Sequence, residues 1–370
     1  MRLGLVAGGS LGEAYARALT QLPGVELAAV SMAPAGRSSL AIRATRCHDP
    51  ATLVALPSVD GVVLASDEVA PYPLIRRALV RGKHVLAAGP FTLTTEQVQR
   101  LSTLAERVGR LLIFGEERML SPSFGLLADM TRGATRTQLH YLRLLDVRPQ
   151  RREGVSRTAA IAAEGLALCT RLVRRMPRSI SALGAGPPGG HPEAVFITLV
   201  YPGGLVASLQ VSVSEDWEAR QLVASMVGRT VMLDELDYRM PLRIVSASER
   251  TQREAAGARA PGGASWQTGS VTLTAPPGDP TLEQCRNFLD GVTARRQGAV
   301  NGEFWRQVAV LWEAAERSMP LAGAPVSVEV PPAQSEAKTM TPRLYVIRGR
   351  GQPARSTSAS ARPALTLVSV

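Results

Sequence analysis

Two adjacent glutamates are the side chains best suited to acid–base chemistry in this sequence. Glu116 and Glu117 follow the apolar run LLIF and precede Arg118. A glutamate that folding removes from water has a raised pKa, and it can then serve as a general acid or base near neutral pH. An ion pair with Arg118 explains the same residues without catalysis and is the favoured interpretation. Tyr141 is the remaining candidate acid.

The histidines and cysteines predict no metal site. The four histidines are His48, His84, His140 and His191, and their spacing does not suit a shared metal ion. The three cysteines are Cys47, Cys169 and Cys285. An odd number of widely separated cysteines is typical of a reducing compartment, where each packs as a small apolar side chain, so we expect a cytoplasmic protein.

A glycine-rich turn follows the first apolar segment. Met1–Ala7 predicts a strand and the alanine-rich pattern Glu13–Gln21 predicts a helix, with GGSLG between them. In a dinucleotide-binding fingerprint, one glycine lets the backbone approach a pyrophosphate and the next lets the helix pack on the strand. Gly9 and Gly12 match those two positions, so NAD or NADP is the expected cofactor. The predicted contact residues are Gly8, Gly9, Ser10, Leu11, Gly12, Ser31, Arg37 and Ser66.

The end of the second predicted strand lacks the carboxylate that would hold the ribose hydroxyls of NAD. This strand covers Val25–Val30 and is followed by Ser31 and Met32. Arg37, a few residues later, favours the 2'-phosphate of NADP. A solvated arginine without a ligand is an equal alternative.

Strands and helices alternate through the first 120 or so residues. Further strands are predicted at Gly61–Ala65 and His84–Ala87, with a helix at Tyr72–Val80 between them. Such alternation requires parallel pairing with right-handed crossovers. The prediction is an α/β fold that begins with a Rossmann doubly wound parallel sheet.

Composition argues against a membrane or nucleic-acid protein. Hydrophobic residues make up 45% and charged residues 20% of the chain, and no apolar run reaches the roughly 20 residues that span a bilayer. No export signal is expected at the start. The net charge of +11 comes from arginines, since Lys83 and Lys338 are the only lysines, and aromatic residues are only 4%. Nucleic-acid binding is therefore disfavoured.

The segment Gly82–Pro90, GKHVLAAGP, resembles the Gfo/Idh/MocA family segment in which G-K-H-V-L-x-E-K-P carries the catalytic lysine. The likeness extends to the opening RLGLVAGGSLG, to EAVFITLVYPGGLVASLQVSVS and VGRTVMLDE, and to the helical pattern FWRQVAVLWEAAERSM. It implies a Rossmann domain at 1–123, followed at 124–330 by a C-terminal α/β domain with an open, mostly antiparallel sheet. That sheet is expected to form the interface of a homo- or hetero-oligomer.

Three positions depart from that family's pattern. Gly89 stands where the family has its lysine, while Ala163 and Ala167 stand where it has an aspartate and a histidine four residues apart on one helix face. Glu164 is expected to point elsewhere as a solvated residue. In the loop under the dinucleotide the chain has Ser66, Asp67, Glu68 and Pro71, and the two carboxylates are expected to weaken cofactor binding by repelling the pyrophosphate. The alternative is that Asp67 or Glu68 binds a ribose hydroxyl of the cofactor.

The final 40 residues, 331–370, form a basic stretch of low complexity, predicted to be disordered when free. Two apolar islands, LYVI at Leu344–Ile347 and ALTLVSV at Ala364–Val370, are suited to adding a strand to a sheet edge of this protein or of a partner. A terminus without a role is the alternative. The arginine-, glycine- and alanine-rich segment 249–265 predicts a surface loop.

Two functions are weighed on this basis. The favoured one is a degenerate oxidoreductase-fold protein that has lost standard hydride transfer and serves as a partner or regulatory subunit in an oligomer. The alternative is an active NAD(P)-dependent oxidoreductase on a sugar-like or other small hydroxy or carbonyl substrate, with Glu116 or Glu117 as the acid or base.

Overall fold

The structure is a computed structural model. It describes residues 1–32, 44–66, 71–89, 92–133, 139–149, 157–237, 239–247, 268–273 and 275–329. Arg37, Asp67, Glu68, Pro90, the loop 249–265 and the tail 331–370 lie outside these residues.

The first layer is a parallel sheet of seven strands. In spatial order the strands are β15 (Gly298–Ala299), β6 (Leu111–Phe114), β5 (His84–Ala88), β4 (Gly61–Ala65), β1 (Arg2–Ala7), β2 (Glu26–Met32) and β3 (Thr45–Cys47). β1 lies near the middle, and its Leu3, Leu5 and Val6 are fully buried. A strand with apolar residues on both faces is typical of a parallel sheet covered on both sides.

Helices cover both faces of this sheet. They are α1 (Gly9–Thr20), α2 (Pro50–Ala55), α3 (Pro71–Val80) and α4 (Thr95–Arg107). Local sequence sets where they begin. Asp49 caps α2 by accepting a hydrogen bond from the Thr52 amide at 2.8 Å. Thr94 and Gln97 form a reciprocal capping box at the start of α4. The predicted Rossmann sheet is thereby confirmed.

The second layer is a sheet of nine described strands. In spatial order they are β14 (Thr268–Leu273), β13 (Leu242–Ala247), β12 (Arg229–Asp234), β11 (Ala219–Met226), β7 (Leu139–Val147), β10 (Val206–Ser212), β9 (Ala194–Val200), β8 (Ser179–Ala185) and β16 (Val326–Ser327). Only the β7–β10 pair among them is parallel. The predicted second domain with a mostly antiparallel sheet is confirmed.

One face of the second sheet is covered and the other is open. Along β9, Val195, Ile197 and Leu199 are buried, whereas Phe196 and Val200 are 44% and 40% exposed. The described helices of this half are α5 (Pro122–Gly133), α6 (Thr158–Val173) and α8 (Gly302–Ser318). α6 lies so close to the sheet at Gly165 that an added Cβ would stand 3.1 Å from Leu209.

The chain returns to the first layer near its C-terminal end. α7 (Pro280–Thr293) packs on α1, where Cys285 and Phe288 join the apolar cluster that contains Tyr15. β15 then pairs with β6, with Gly298 opposite Leu111. The division at residue 123 stays a prediction, and these late elements lie on the first sheet. No helix among the described residues is long and apolar enough to span a bilayer.

Candidate active site at the carboxyl edge of the first sheet

The glycine turn after β1 is the first part of the candidate site. The Gly8 amide donates to the Ala65 carbonyl at 2.9 Å. A Cβ on Gly8 would stand 2.3 Å from Ser66 Oγ, and a Cβ on Gly12 would stand 2.6 Å from Ala7 Cβ. Close packing alone therefore requires glycine at positions 8 and 12, whether or not a nucleotide binds.

Gly9 is different because nothing fills the space around it. It has a positive φ of 55°, and an added Cβ would meet no atom within 4 Å. α1 begins here, its N-cap residue Gly8 makes no side-chain cap hydrogen bond, and its first turn carries no acidic residue. Free amides and the positive end of a helix dipole attract phosphate. Gly9 and the exposed Ser10 thus fit a dinucleotide pyrophosphate, while Leu11 packs against the apolar cluster instead.

The ribose end of the predicted nucleotide site is less complete. Ser31, at the end of β2, is fully buried, and its hydroxyl has no hydrogen-bond partner among the described residues. Ser66 lies against Gly8 at the end of β4. Arg37, Asp67 and Glu68, which bear on the choice between NAD and NADP, are outside the described residues. The pyrophosphate end is therefore the better supported part.

A small cavity beside Gly89 is the second part of the candidate site. Its lining residues are Gly89, Gly115, Glu116, Glu117, Arg118, Met119, Ala160, Glu164, Leu168 and Trp305. Gly115 brings β6 close to the end of β5, since its amide donates to the Ala87 carbonyl at 2.6 Å. The structure thus brings Glu116 and Glu117 to the same cavity as Gly89, the position of the family's lysine.

Glu117 is a buried carboxyl group in the wall of this cavity. It begins a 3-10 turn at Glu117–Leu120, and the Tyr15 hydroxyl donates to its Oε2 at 2.5 Å. Burial raises the pKa of Glu117 to about 7, with a further rise from the nearby Glu164 carboxylate, against the lowering effects of the Tyr15 hydrogen bond and of Arg148. A group with such a pKa is partly ionised at neutral pH and can either accept or donate a proton.

Glu116 is held by two residues from distant parts of the chain. Asn301 donates to its Oε1, and its own amide donates to Gln284 Oε1 at 2.9 Å. Burial raises the pKa of Glu116. Asn301 also accepts from the Phe114 amide at 3.0 Å, which fixes the end of β6. Sequence analysis missed both Asn301 and Gln284. The one local signal that could have indicated Asn301 is its position as a polar residue just before the apolar helical pattern of α8.

Arg118 is neutralised by a buried ion-pair network. Its guanidinium lies 2.8 Å from Asp146, 2.9 Å from Glu235 and 3.3 Å from Glu164. Arg148 lies 2.7 Å from Asp146 and 2.5 Å from Glu164. The favoured ion pair of Arg118 with its two glutamate neighbours is not found among the described contacts, so that interpretation is wrong. The acids that pair with Arg118 come instead from β7, from α6 and from the turn after β12.

The expectation that Glu164 is a solvated residue pointing elsewhere is wrong. Its side chain is only 17% exposed, lines the cavity and is paired with both Arg118 and Arg148. The two arginines hold the pKa of Glu164 below its usual value despite burial. The reason is the helix face: α6 presents Ala160, Glu164 and Leu168 to the cavity at intervals of four residues.

The two alanines assigned to the lost aspartate and histidine lie in the core. Ala163 and Ala167 are 4% and 0% exposed and do not line the cavity. Tyr141 lies on β7, where its hydroxyl is 2.7 Å from Ser208 Oγ of β10, and it too is absent from the cavity wall. The structure therefore does not bring Tyr141 to Glu116 and Glu117.

The remaining candidate residues have structural positions. Lys83 is buried and donates to the Leu56 carbonyl at 2.9 Å, and His84 accepts from the Leu111 amide at 3.0 Å. Among the described residues, no three histidines, cysteines or acids cluster in a way that suits a metal ion. Cys169 and Cys285 are buried, and Cys47 is partly exposed, so the expectation of burial is wrong for Cys47.

Comparison with known proteins agrees with this architecture. Residues 1–116 match the model of the Gfo/Idh/MocA oxidoreductase family, described as having an NAD-binding Rossmann fold. The uncharacterized oxidoreductase YdgJ of Escherichia coli (strain K12) is 31% identical over 139 residues, which cover 35% of this chain and 39% of that protein. The chain thus spans about two fifths of that relative's length.

Solved structures match over most of the chain. UDP-N-acetylglucosamine 3-dehydrogenase GnnA from Acidithiobacillus ferrooxidans superimposes with a TM-score of 0.69 at 21% identity, covering 87% of this chain and 98% of that one. GenD2 from gentamicin A biosynthesis, in complex with NAD, gives a TM-score of 0.68 at 19% identity, covering 89% and 97%. At such identities the likeness establishes the fold alone: this chain shares the fold of these two proteins.

Proposed function

We propose that this protein is an NAD(P)-binding oxidoreductase in which Glu117 has taken over the proton transfer that the family assigns to a lysine at position 89. The observation that carries the proposal is the position of Glu117: this residue lines the cavity that Gly89 also lines, and burial raises its pKa to about 7. The substrate class is a sugar-like or other small compound with a hydroxyl or carbonyl group.

The proposed nucleotide site is the N-terminus of α1. The open space at Gly9 and the uncapped amides of α1 support binding of the pyrophosphate. When bound, the nicotinamide supplies the hydride acceptor or donor. Residues matched to the family's model include this turn, and a neighbour of the same fold, GenD2, is described as a complex with NAD.

Glu117 would manage the proton of the substrate oxygen. In alcohol oxidation its ionised carboxylate accepts the hydroxyl proton as the hydride leaves the carbon; in carbonyl reduction its protonated form returns that proton. Either direction requires the carboxyl group to lie in a cavity that excludes bulk water. The buried surroundings of Glu117 and the absence of a side chain at Gly89 provide that space.

Titration with NADH and NADPH, followed by nicotinamide fluorescence, tests the nucleotide site. We expect binding in the micromolar range, abolished by Gly9→Asp because its carboxylate would meet the pyrophosphate. Gly203→Asp is the matched control, since Gly203 also has a positive φ and no atom near an added Cβ. If neither nucleotide binds at millimolar concentration, the proposal fails.

A second candidate is the favoured sequence-based one, a partner or regulatory subunit without hydride transfer. It is supported by Gly89, Ala163 and Ala167, none of which can transfer a proton. The open face of the second sheet, with exposed apolar residues such as Leu183 and Phe196, supports the proposed homo- or hetero-oligomer. Docking of the tail 331–370 on a partner stays a prediction. The free cysteines support the proposed cytoplasmic location.

The Glu117→Gln variant separates the two candidates. For the oxidoreductase, cofactor-dependent turnover of the substrate should fall by at least about 100-fold while NADH affinity is retained. For the partner subunit, the wild-type protein should already lack turnover with a panel of sugars and polyols, and light scattering should detect an oligomer. An active wild type whose rate is unaffected by Glu117→Gln would remove Glu117 from the mechanism.

A further inference from the structure

Tyr15 is a fully buried tyrosine on α1 whose hydroxyl group contacts Glu117, a residue of the cavity wall. The hydroxyl donates to Glu117 Oε2 at 2.5 Å, across 102 positions of sequence. α1 begins at Gly9, so its axis runs about 9 Å from the open amides to Tyr15 at a rise of 1.5 Å per residue. One rigid helix therefore connects the proposed pyrophosphate site with the proposed acid–base group.

We infer that Tyr15 is a positioning residue: its hydroxyl fixes the Glu117 carboxyl group at the cavity and ties it to the helix that receives the dinucleotide. The role of this contact in catalysis rests on the proposed function. Its physical content, a hydrogen bond that orients Glu117 and favours its ionised form, holds for the protein without any ligand.

The hydroxyl group cannot be explained by packing alone. Phenylalanine fills nearly the same volume in an apolar cluster, and it has no polar group to bury. Tyr201 shows the contrast, because it is also buried, yet its hydroxyl has no hydrogen-bond partner among the described residues. Tyr15 instead directs its only polar atom at Glu117.

The charged and titratable groups around Glu117 come from four further elements. They are Tyr15 on α1, Arg148 just after β7, Glu164 on α6 and Cys285 on α7, together with Glu116 and Arg118 beside it in the chain. Tyr15 and Arg148 favour the ionised carboxylate, whereas burial and the Glu164 charge oppose it. Removing the Tyr15 hydroxyl therefore moves the titration of Glu117 to higher pH.

Infrared difference spectroscopy between low and high pH measures this directly through the carbonyl stretch of protonated carboxyl groups. The band of Glu117 is assigned by its loss in Glu117→Gln. We expect Tyr15→Phe to raise the titration midpoint of Glu117 by about one pH unit. The free energy of a hydrogen bond to a charged group corresponds to a pKa change of about that size. Tyr201→Phe is the matched control and should leave the midpoint unchanged. An unchanged midpoint in Tyr15→Phe overturns the inference.

A second measurement covers the case in which Tyr15→Phe fails to fold. Burial, and after it the Glu117 carboxylate, raises the pKa of Tyr15 well above its usual value. In Glu117→Gln, ultraviolet absorbance should therefore detect one tyrosine that ionises at lower pH than in the wild type. If the tyrosine titration is the same in both proteins, the contact is not formed and the inference fails.

The outcome is separable from that of the proposed function. If the wild-type protein binds neither NADH nor NADPH, the proposed function fails, while both spectroscopic titrations still test the Tyr15–Glu117 contact. If the protein is active, the pH profile of kcat/KM for alcohol oxidation should lose activity below the Glu117 midpoint. In Tyr15→Phe that limb should move to higher pH by the same increment as the infrared band.

Discussion

At the N-terminus of α1 the polypeptide leaves space and free amides, whereas at the cavity beside Gly89 it fills its surroundings with buried, paired charges. Gly9 has no neighbour within 4 Å of an added Cβ. Arg118 and Arg148, by contrast, are satisfied by Asp146, Glu164 and Glu235. The first region therefore has room for a ligand, whereas the charges of the second region are already paired with other side chains of the chain. Substitution at Gly9 should accordingly affect nucleotide binding, and substitution of a paired arginine should affect folding.

The largest effect is expected from Arg118→Ala. Its removal leaves Asp146 and Glu164 with only Arg148 and leaves Glu235 without this partner. Breaking such a buried pair costs about 3 to 5 kcal/mol of the free energy of unfolding, measured by chemical denaturation. Arg100→Ala, which breaks an exposed pair with Glu96 on α4, should leave the free energy of unfolding almost unchanged. Equal costs for the two variants would show that the buried network beside the cavity stabilises the protein no more than an exposed pair does.

The next effect concerns pH and Glu117. Its pKa in the folded protein is about 7, above the ordinary value of 4.5. The folded state therefore favours the protonated form, and the stability associated with it is lost as the pH rises from below 4.5 through about 7. Between pH 5 and pH 8, Glu117→Gln should lose less stability than the wild type, by roughly 2 kcal/mol. Parallel pH profiles of the two proteins would show that Glu117 titrates normally.

A smaller effect should distinguish the glycines of the turn. Gly12→Ala places a Cβ 2.8 Å from Ala7 Cα, so the helix must shift, at a cost of about 1 to 3 kcal/mol. Gly125→Ala in α5 is the control, since no atom lies within 4 Å of its added Cβ, and it should be neutral or stabilising by up to about 1 kcal/mol. A neutral Gly12→Ala would mean that α1 packs less tightly on β1.

The smallest effect is expected at Tyr141. Tyr141→Phe removes one hydrogen bond with Ser208 on the second sheet, worth about 1 kcal/mol of stability or less. Because Tyr141 does not line the cavity, NADH affinity and any cofactor-dependent turnover should be unchanged. A large loss of turnover with intact folding would return Tyr141 to the candidate acids.

Local sequence patterns were sufficient for the first sheet because its elements are specified locally, whereas the second sheet was expected only from the family resemblance. The apolar segment at Met1–Ala7, the glycine turn and the following helix pattern predict β1 and α1, and the order of later strands predicts the parallel sheet. The observed start of α1 at Gly9 rather than Glu13 is a difference of one turn. It arises because the glycine turn itself provides the first helical residues.

The candidate site was less predictable because its contacts join distant positions. Glu116 is bound by Asn301, 185 residues away, and Arg118 reaches Glu235, 117 residues away. No local pattern indicates such partners. Assigning Glu164 to solvent failed for the same reason, since the face that α6 turns to the cavity depends on how it packs against β7 and β10. The pairing that makes Glu164 structural is visible only in three dimensions.

The return of α7 and β15 to the first sheet has a consequence for biogenesis. Phe288 and Cys285 cover the apolar surface around Tyr15, and β15 protects the edge of β6. The ribosome synthesises these segments only after nearly 300 residues. Until then the apolar cluster around Tyr15 and the edge of β6 remain exposed in the nascent first sheet. A fragment that ends at residue 123 would lack this cover, so we expect it to aggregate more readily than the full-length protein.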